Sequence, residues 1–190
     1  MTLQDGNDTV FATSGDRVFL GTGTAVVIGF GFDTVVGGSG SSTINVLAGN
    51  QLVTLGSGAD SVFGGPADTI VAGSGSAYID GSWGFMSITV GTTGGSDMVV
   101  SGIGDTILGG AATSTVIGGA GDTIVTGSGI AKVNGLAGNE TITLGSGMNT
   151  VYGDYRRFRI SVCRLYRRPQ RRAIFRGWQQ QRQSWVGHGL

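Results

Sequence analysis

A valine or isoleucine returns along this chain with a steady beat: Val10, Val18, Val26, Val35, Ile44, Val53, Val62, Ile70, Ile79, Ile88, Val99, Ile107, Val116, Ile124, Val133, Ile142 and Val151. Successive beats lie eight or nine residues apart, except for an interval of eleven between Ile88 and Val99. A threonine or serine usually precedes the aliphatic residue, as at Thr9, Thr34, Thr69 and Thr123, and glycine-containing turns lie on either side. Alternate side chains of a strand point to opposite faces, so each beat predicts a strand of three to five residues with its Val or Ile inward and the flanking residues outward. Glycine suits the corners because reversing the chain in so few residues demands close backbone approach and positive φ.

Longer internal similarities set the size of one coil. DTIVAGSGSAYI, from Asp68 to Ile79, returns as DTIVTGSGIAKV, from Asp122 to Val133, and LAGNQLVTLGSGADSV returns as LAGNETITLGSGMNTV. These shifts are six and ten beats, both even and not both divisible by three. The chain therefore predicts an all-β, right-handed parallel β-roll or β-solenoid with two short strands in each coil of 17–18 residues. The turns alternate in kind. Those entering even beats carry Asp16, Asp33, Asp68, Asp105, Asp122 and Glu140, which predicts one edge more acidic than the other.

Composition narrows this further. The 190 residues include 38 glycines, two prolines and only 13 % charged residues. Glycine does not recur at every third position, which excludes collagen, and the abundance of Val and Ile excludes featureless disorder. The zero formal net charge hides a division. All twelve acidic residues lie at or before Asp154, where Arg17 and Lys132 are the only bases, a formal charge of −10; the other ten bases, all arginines, follow. The division separates a repeat domain, residues 1–153, from an Arg-rich tail, residues 154–190, expected to be irregular or disordered. A one-base slip of the reading frame through GC-rich codons for Gly and Ala yields Arg codons, which makes a frameshift product one reading of the tail; the others are a basic arm that binds nucleic acid or folds back onto the acidic roll, and an ordinary disordered terminus.

The spacing G-x-G-x-D-x-V, intact at Gly29, Gly31 and Asp33 and at Gly56, Gly58 and Asp60, resembles the bacterial RTX (hemolysin-type) nonapeptide family, G-G-x-G-x-D-x-U-x, with U a large aliphatic residue. The resemblance covers about residues 3–152. It implies a β-roll whose glycine turns bend around Ca²⁺ with the aspartates as ligands. The candidate metal residues are then Gly29, Gly31, Asp33, Gly56, Gly58, Asp60, Asp105 and Asp122. The two intact motifs fall on opposite edges, Asp105 and Asp122 lack one residue of the spacing, and Gln51, Ala77, Met86 and Ala131 occupy the aspartate place elsewhere. Stacked carboxylates repel at about 5 Å, which a cation relieves; the alternative is that the aspartates cap turns by accepting backbone N–H bonds.

Other chemistry is sparse. The single histidine, His188, and single cysteine, Cys163, both lie in the tail, so the repeat body offers no Ser-His-Asp or Cys-His pair, no zinc-like spacing and no disulfide. The expectation is a non-enzymatic module with neither a nucleic-acid partner nor a membrane span, whose partner protein or surface the sequence does not name. The family resemblance further implies a secreted, extracellular setting, within a larger adhesin or toxin-like protein. A second expectation is a calcium-independent solenoid for adhesion or ice contact, presenting Thr34, Thr69, Thr106, Thr123 and Thr141 as one outward column.

Overall fold

The computed structural model describes residues 1–135, 137–153, 159–162 and 172–175. The odd-numbered strands are β1 (Asn7–Ala12), β3 (Thr24–Gly29), β5 (Ser42–Val46), β7 (Asp60–Gly64), β9 (Ala77–Gly81), β11 (Ser96–Ser101), β13 (Thr113–Ile117), β15 (Ala131–Gly135), β17 (Asn149–Gly153) and β19 (Arg172–Phe175). The even-numbered strands are β2 (Arg17–Phe19), β4 (Thr34–Val36), β6 (Leu52–Thr54), β8 (Thr69–Val71), β10 (Ser87–Thr89), β12 (Thr106–Leu108), β14 (Thr123–Val125), β16 (Thr141–Leu144) and β18 (Arg159–Val162). Odd strands pair in parallel as a ten-stranded sheet and even strands as a nine-stranded one, each in chain order. The result is a β-solenoid with two strands per coil and about nine coils. No helix occurs among the described residues, so none is long and apolar enough to cross a membrane.

The core is the aliphatic column of the sequence. Val10, Val27, Ile44, Val62, Ile79, Val99, Val116, Val133 and Val151 form its odd half, and Val18, Val35, Val53, Ile70, Ile88, Ile107, Ile124 and Ile142 the even half. Each seat contributes about 1.5–3 kcal/mol of apolar burial, and each coil touches only its neighbours, so stability is distributed along the rod.

One seat differs from expectation. Val26 is 37 % exposed, and Val27 stands in the core, paired with Val10 and Ile44. Two adjacent valines leave the period of two undecided locally; the ladder register decides for Val27. A second difference lies in the Arg-rich segment. Where it is described it is strand: Ile160 pairs with Ile142 and packs against the core, and Ala173 pairs with Val151. The expected irregularity does not hold for these two four-residue stretches, because a parallel ladder asks of an added strand only free N–H and C=O groups in register. The remainder of the tail, with Cys163 and His188, lies outside the described residues.

Candidate functional site

The aspartates stand two residues before the core aliphatics, and a period of two gives them the same face. They point into the rod. Asp33, Asp68, Asp105 and Asp122 are buried in the corners between odd and even strands, while Asp60 and Asp97 are buried on the opposite edge. Strand register stacks the first group into one column with the residues that replace aspartate: Asp16, Asp33, Gln51, Asp68, Met86, Asp105, Asp122, Glu140. From Asp33 onward the charge expected on that edge is thus inside it, beneath the turns, while Asp16 at the start of the column is exposed.

A buried carboxylate needs partners, and the corner backbone supplies them in a repeating pattern. One oxygen receives an N–H from three residues earlier in its own turn, and the other an N–H from the preceding coil. For Asp33 the donors are Phe30 N–H (3.0 Å) and Asp16 N–H (2.9 Å); for Asp68, Gly65 N–H (2.7 Å) and Gln51 N–H (2.8 Å). Asp105 receives Gly102 N–H (2.8 Å) and Met86 N–H (2.7 Å). Asp122 receives Gly119 N–H (2.8 Å), Asp105 N–H (2.8 Å) and the Ser101 hydroxyl (2.6 Å). Each side chain so closes its own turn and ties it to the coil before.

The column stays electrostatically loaded all the same. Burial pushes the Asp68 carboxyl up to about 6 against the lowering effect of its two backbone bonds. Burial likewise raises Asp97, Asp105 and Asp122, and the charge of Asp122 raises Asp105 further. Uncharged Gln51 and Met86 break the run of acids, leaving Asp105, Asp122 and Glu140 as the longest.

The candidate residues divide under this geometry. Gly29 and Asp33 share one corner with a residue the sequence reading treated as a loss of motif, Gln51. A Cβ on Gly29 would lie 2.6 Å from Gln51 Oε1 and 2.8 Å from Asp33 Oδ2, so both oxygens converge on the space that glycine leaves. Gln51 is 2 % exposed, and its Oε1 accepts no hydrogen bond. A carboxylate and an orphaned amide oxygen belong to the hard donor class that Ca²⁺ takes, and this corner brings those two oxygens together. Gly31, with φ 111°, shapes the same turn.

Gly56 and Gly58 serve the packing of the opposite edge, where any Cβ would run into the carbonyls of Gly38 and Gly40 on the coil before. Asp60 Oδ1 receives Ser42 N–H (2.8 Å) and the Ser42 hydroxyl (2.6 Å). Asp60 and Asp33 therefore stand on opposite edges, as their beat numbers imply. Asp105 and Asp122 are neighbours in one column, and each, like Asp33, has two main-chain donors, so an ion at any of the three must displace N–H bonds; what sets the Asp33 corner apart is the orphaned Gln51 oxygen. Two further acceptors, Glu140 Oε2 and Asn149 Oδ1, are buried without a donor at aspartate positions. A Glu, Gln or Asn in the aspartate place was the available signal for all three.

No group of three or more His, Cys, Asp or Glu side chains converges among the described residues. A sequence model of the RTX calcium-binding nonapeptide repeat matches in four copies, over residues 28–62 and 134–154. The first stretch contains Gly29, Asp33, Gln51 and Asp60. Comparison with the curated proteins and with solved structures gave no match.

Proposed function

We propose that this chain, which carries RTX nonapeptide repeats on a two-strand β-solenoid, is a non-enzymatic extracellular module that acts as a spacer within a larger secreted adhesin or toxin-like protein and takes Ca²⁺ in its Gly-Asp corners. The convergence of Asp33 Oδ2 and the orphaned Gln51 Oε1 on Gly29 carries the calcium part of this reading. Asp33, Gln51 and the turn carbonyls would hold the ion, and bound Ca²⁺ supplies positive charge against the buried acidic column. The chain's own part is to hold those oxygens in place with main-chain N–H groups. The secreted setting and the lack of catalysis are supported by the family match and by the repetitive, histidine-free body.

The test compares thermal unfolding of the full chain in chelator and in excess Ca²⁺. Ligand at about 100 times its dissociation constant stabilises by about 2.7 kcal/mol, so the midpoint rises with Ca²⁺, and Gln51→Ala removes most of the rise. A midpoint and far-UV circular dichroism indifferent to Ca²⁺ would select the second reading, a calcium-independent solenoid for surface contact. The fully hydrogen-bonded carboxylates of Asp68, Asp105 and Asp122 favour that reading, as does the in-register outward row of Thr106, Thr123 and Thr141.

A further inference from the structure

From Phe30 onward the turns above the acidic column contain no charged residue, and among the described residues the one carboxylate that reaches them is that of Asp80, which accepts from Ser82 N–H (3.1 Å). These turns read FGF, LAGN, GPA, SWGF, GIG, GAG and LAGN, at residues 30–32, 47–50, 65–67, 82–85, 102–104, 119–121 and 136–139. Main-chain bonds stack their tips along one edge: Asn50 N–H to Pro66 O (3.1 Å), Phe85 N–H to Ile103 O (3.0 Å) and Gly104 N–H to Ala120 O (3.0 Å). Phe30, Phe32, Trp83 and Phe85 project from this edge with 59, 67, 63 and 70 % of their surface exposed, and Leu47 and Ile103 stand between and beside them. They span five consecutive coils, about 19 Å at the spacing of adjacent strands.

Two of these rings are held against a conformational preference. The residue just before the buried column adopts positive φ in every one of these corners; Asn50, Gly104, Gly121 and Asn139 meet that demand with suitable residue types, and Ala67 (φ 61°) meets it with a small one. Phe32 (φ 58°) and Phe85 (φ 59°) do not. A bulky side chain in this region is an outlier, and its retention points to function.

We propose that this edge is a docking ridge for a zwitterionic lipid surface, with Phe30, Phe32, Trp83 and Phe85 inserting at the headgroup level. The composition, Trp and Phe with Leu and Ile, is that of interfacial anchors. The charge pattern names the lipid class: no Lys or Arg stands in the turns at residues 30–32, 47–50, 65–67, 82–85 and 102–104, so the ridge itself has no attraction for anionic headgroups. Size argues against a second copy as the occupant. The ridge offers six exposed apolar side chains, against about 20–30 residues per partner in a stable protein interface. Two separate pairs of exposed rings, Phe30 with Phe32 and Trp83 with Phe85, suit a fluid partner, which closes around them without a complementary groove.

Flotation of the full chain with phosphatidylcholine vesicles tests this, with Phe32→Asn/Phe85→Asn and Trp83→Ala as variants. Wild-type chain is expected to float with the vesicles, with little change on adding salt. The double variant is expected to lose about 100-fold in partition coefficient, about tenfold for each ring withdrawn. Because asparagine already occupies the same backbone seat at Asn50 and Asn139, the double variant melts no lower than wild type, which separates loss of docking from loss of fold. Failure of wild-type chain to float, or equal flotation of all three proteins, overturns the proposal. So does a sedimenting dimer that the double variant dissociates without any vesicle binding, since the ridge is then a self-association face.

Discussion

Asp68→Asn and Asp122→Asn are the same chemical change in the same column, yet their costs are expected to differ. Asp68 serves two main-chain donors, Gly65 N–H and Gln51 N–H, and no hydroxyl accompanies it. An asparagine keeps one acceptor oxygen and turns its NH₂ toward the second donor. One backbone N–H and the new NH₂ then lack partners, each at about 1–3 kcal/mol when buried. Relief of the buried charge, the same penalty that lifts this carboxyl to about 6, offsets part of that sum and leaves about 2 kcal/mol. At Asp122 the new NH₂ donates to Ser101 Oγ, which lies 2.6 Å from the carboxylate in the native chain. The Ser101 hydroxyl turns to Ile117 O (3.0 Å), and Gly119 N–H keeps Ser101 Oγ as acceptor (3.0 Å). Every group retains a partner, and the cost stays under about 1 kcal/mol. Urea unfolding of both variants in chelator at neutral pH reads the difference directly. Equal shifts in midpoint, or a larger shift for Asp122→Asn, would show that Ser101 does not exchange its role from donor to acceptor, and the hydrogen-bond account of the column would fall with it.

In chelator, stability is expected to decline as pH rises from about 4 to about 6. Burial lifts Asp68 from 3.8 to about 6 and raises Asp97, Asp105 and Asp122, so in that window the folded chain binds more protons than the unfolded one. Thermal midpoints that rise over the same interval would contradict this. Among the glycines, Gly73→Ala places a Cβ against the Gly56 carbonyl of the preceding coil and is expected to cost about 3 kcal/mol, whereas Gly121→Asn, with φ 77° and open space around it, is expected to be nearly neutral. Calorimetric melting of the pair checks both.

The architecture was legible because strand period, corner glycine and interval length all state the same coil. Where two of these signals are silent, reading falters. Val26 and Val27 are equally apolar, and only pairing with Val10 and Ile44 separates them. Nothing local marks Ile160 as a strand residue among arginines, because its partner Ile142 is eighteen residues away. The site was half legible. Asp33 and Asp122 were visible as turn residues, and the structure adds that the alternation that buries Val35 and Ile124 turns them inward too. Gln51 escaped because an amide in the aspartate place reads as a lost ligand, while in space its oxygen meets that of Asp33. The ridge escaped for the opposite reason: propensity rules reject a phenylalanine at positive φ, so Phe32 and Phe85 are visible only once the backbone is traced.

The corner from Gly91 to Asp97 shows what a buried carboxylate does for a repeat that varies in length. Two extra residues enter between Ile88 and Val99, yet Val99 still pairs with Ile79. Asp97 grips both sides of the neck, taking Gly91 N–H (2.9 Å) on one oxygen and Ala77 N–H (2.9 Å) on the other, while residues 92–96 stand outside. The aspartate works as a clasp that isolates the ladder from whatever the loop contains. Growth of such a chain by slippage within a corner is therefore absorbed sideways, and the rod keeps its pitch while its margin diversifies.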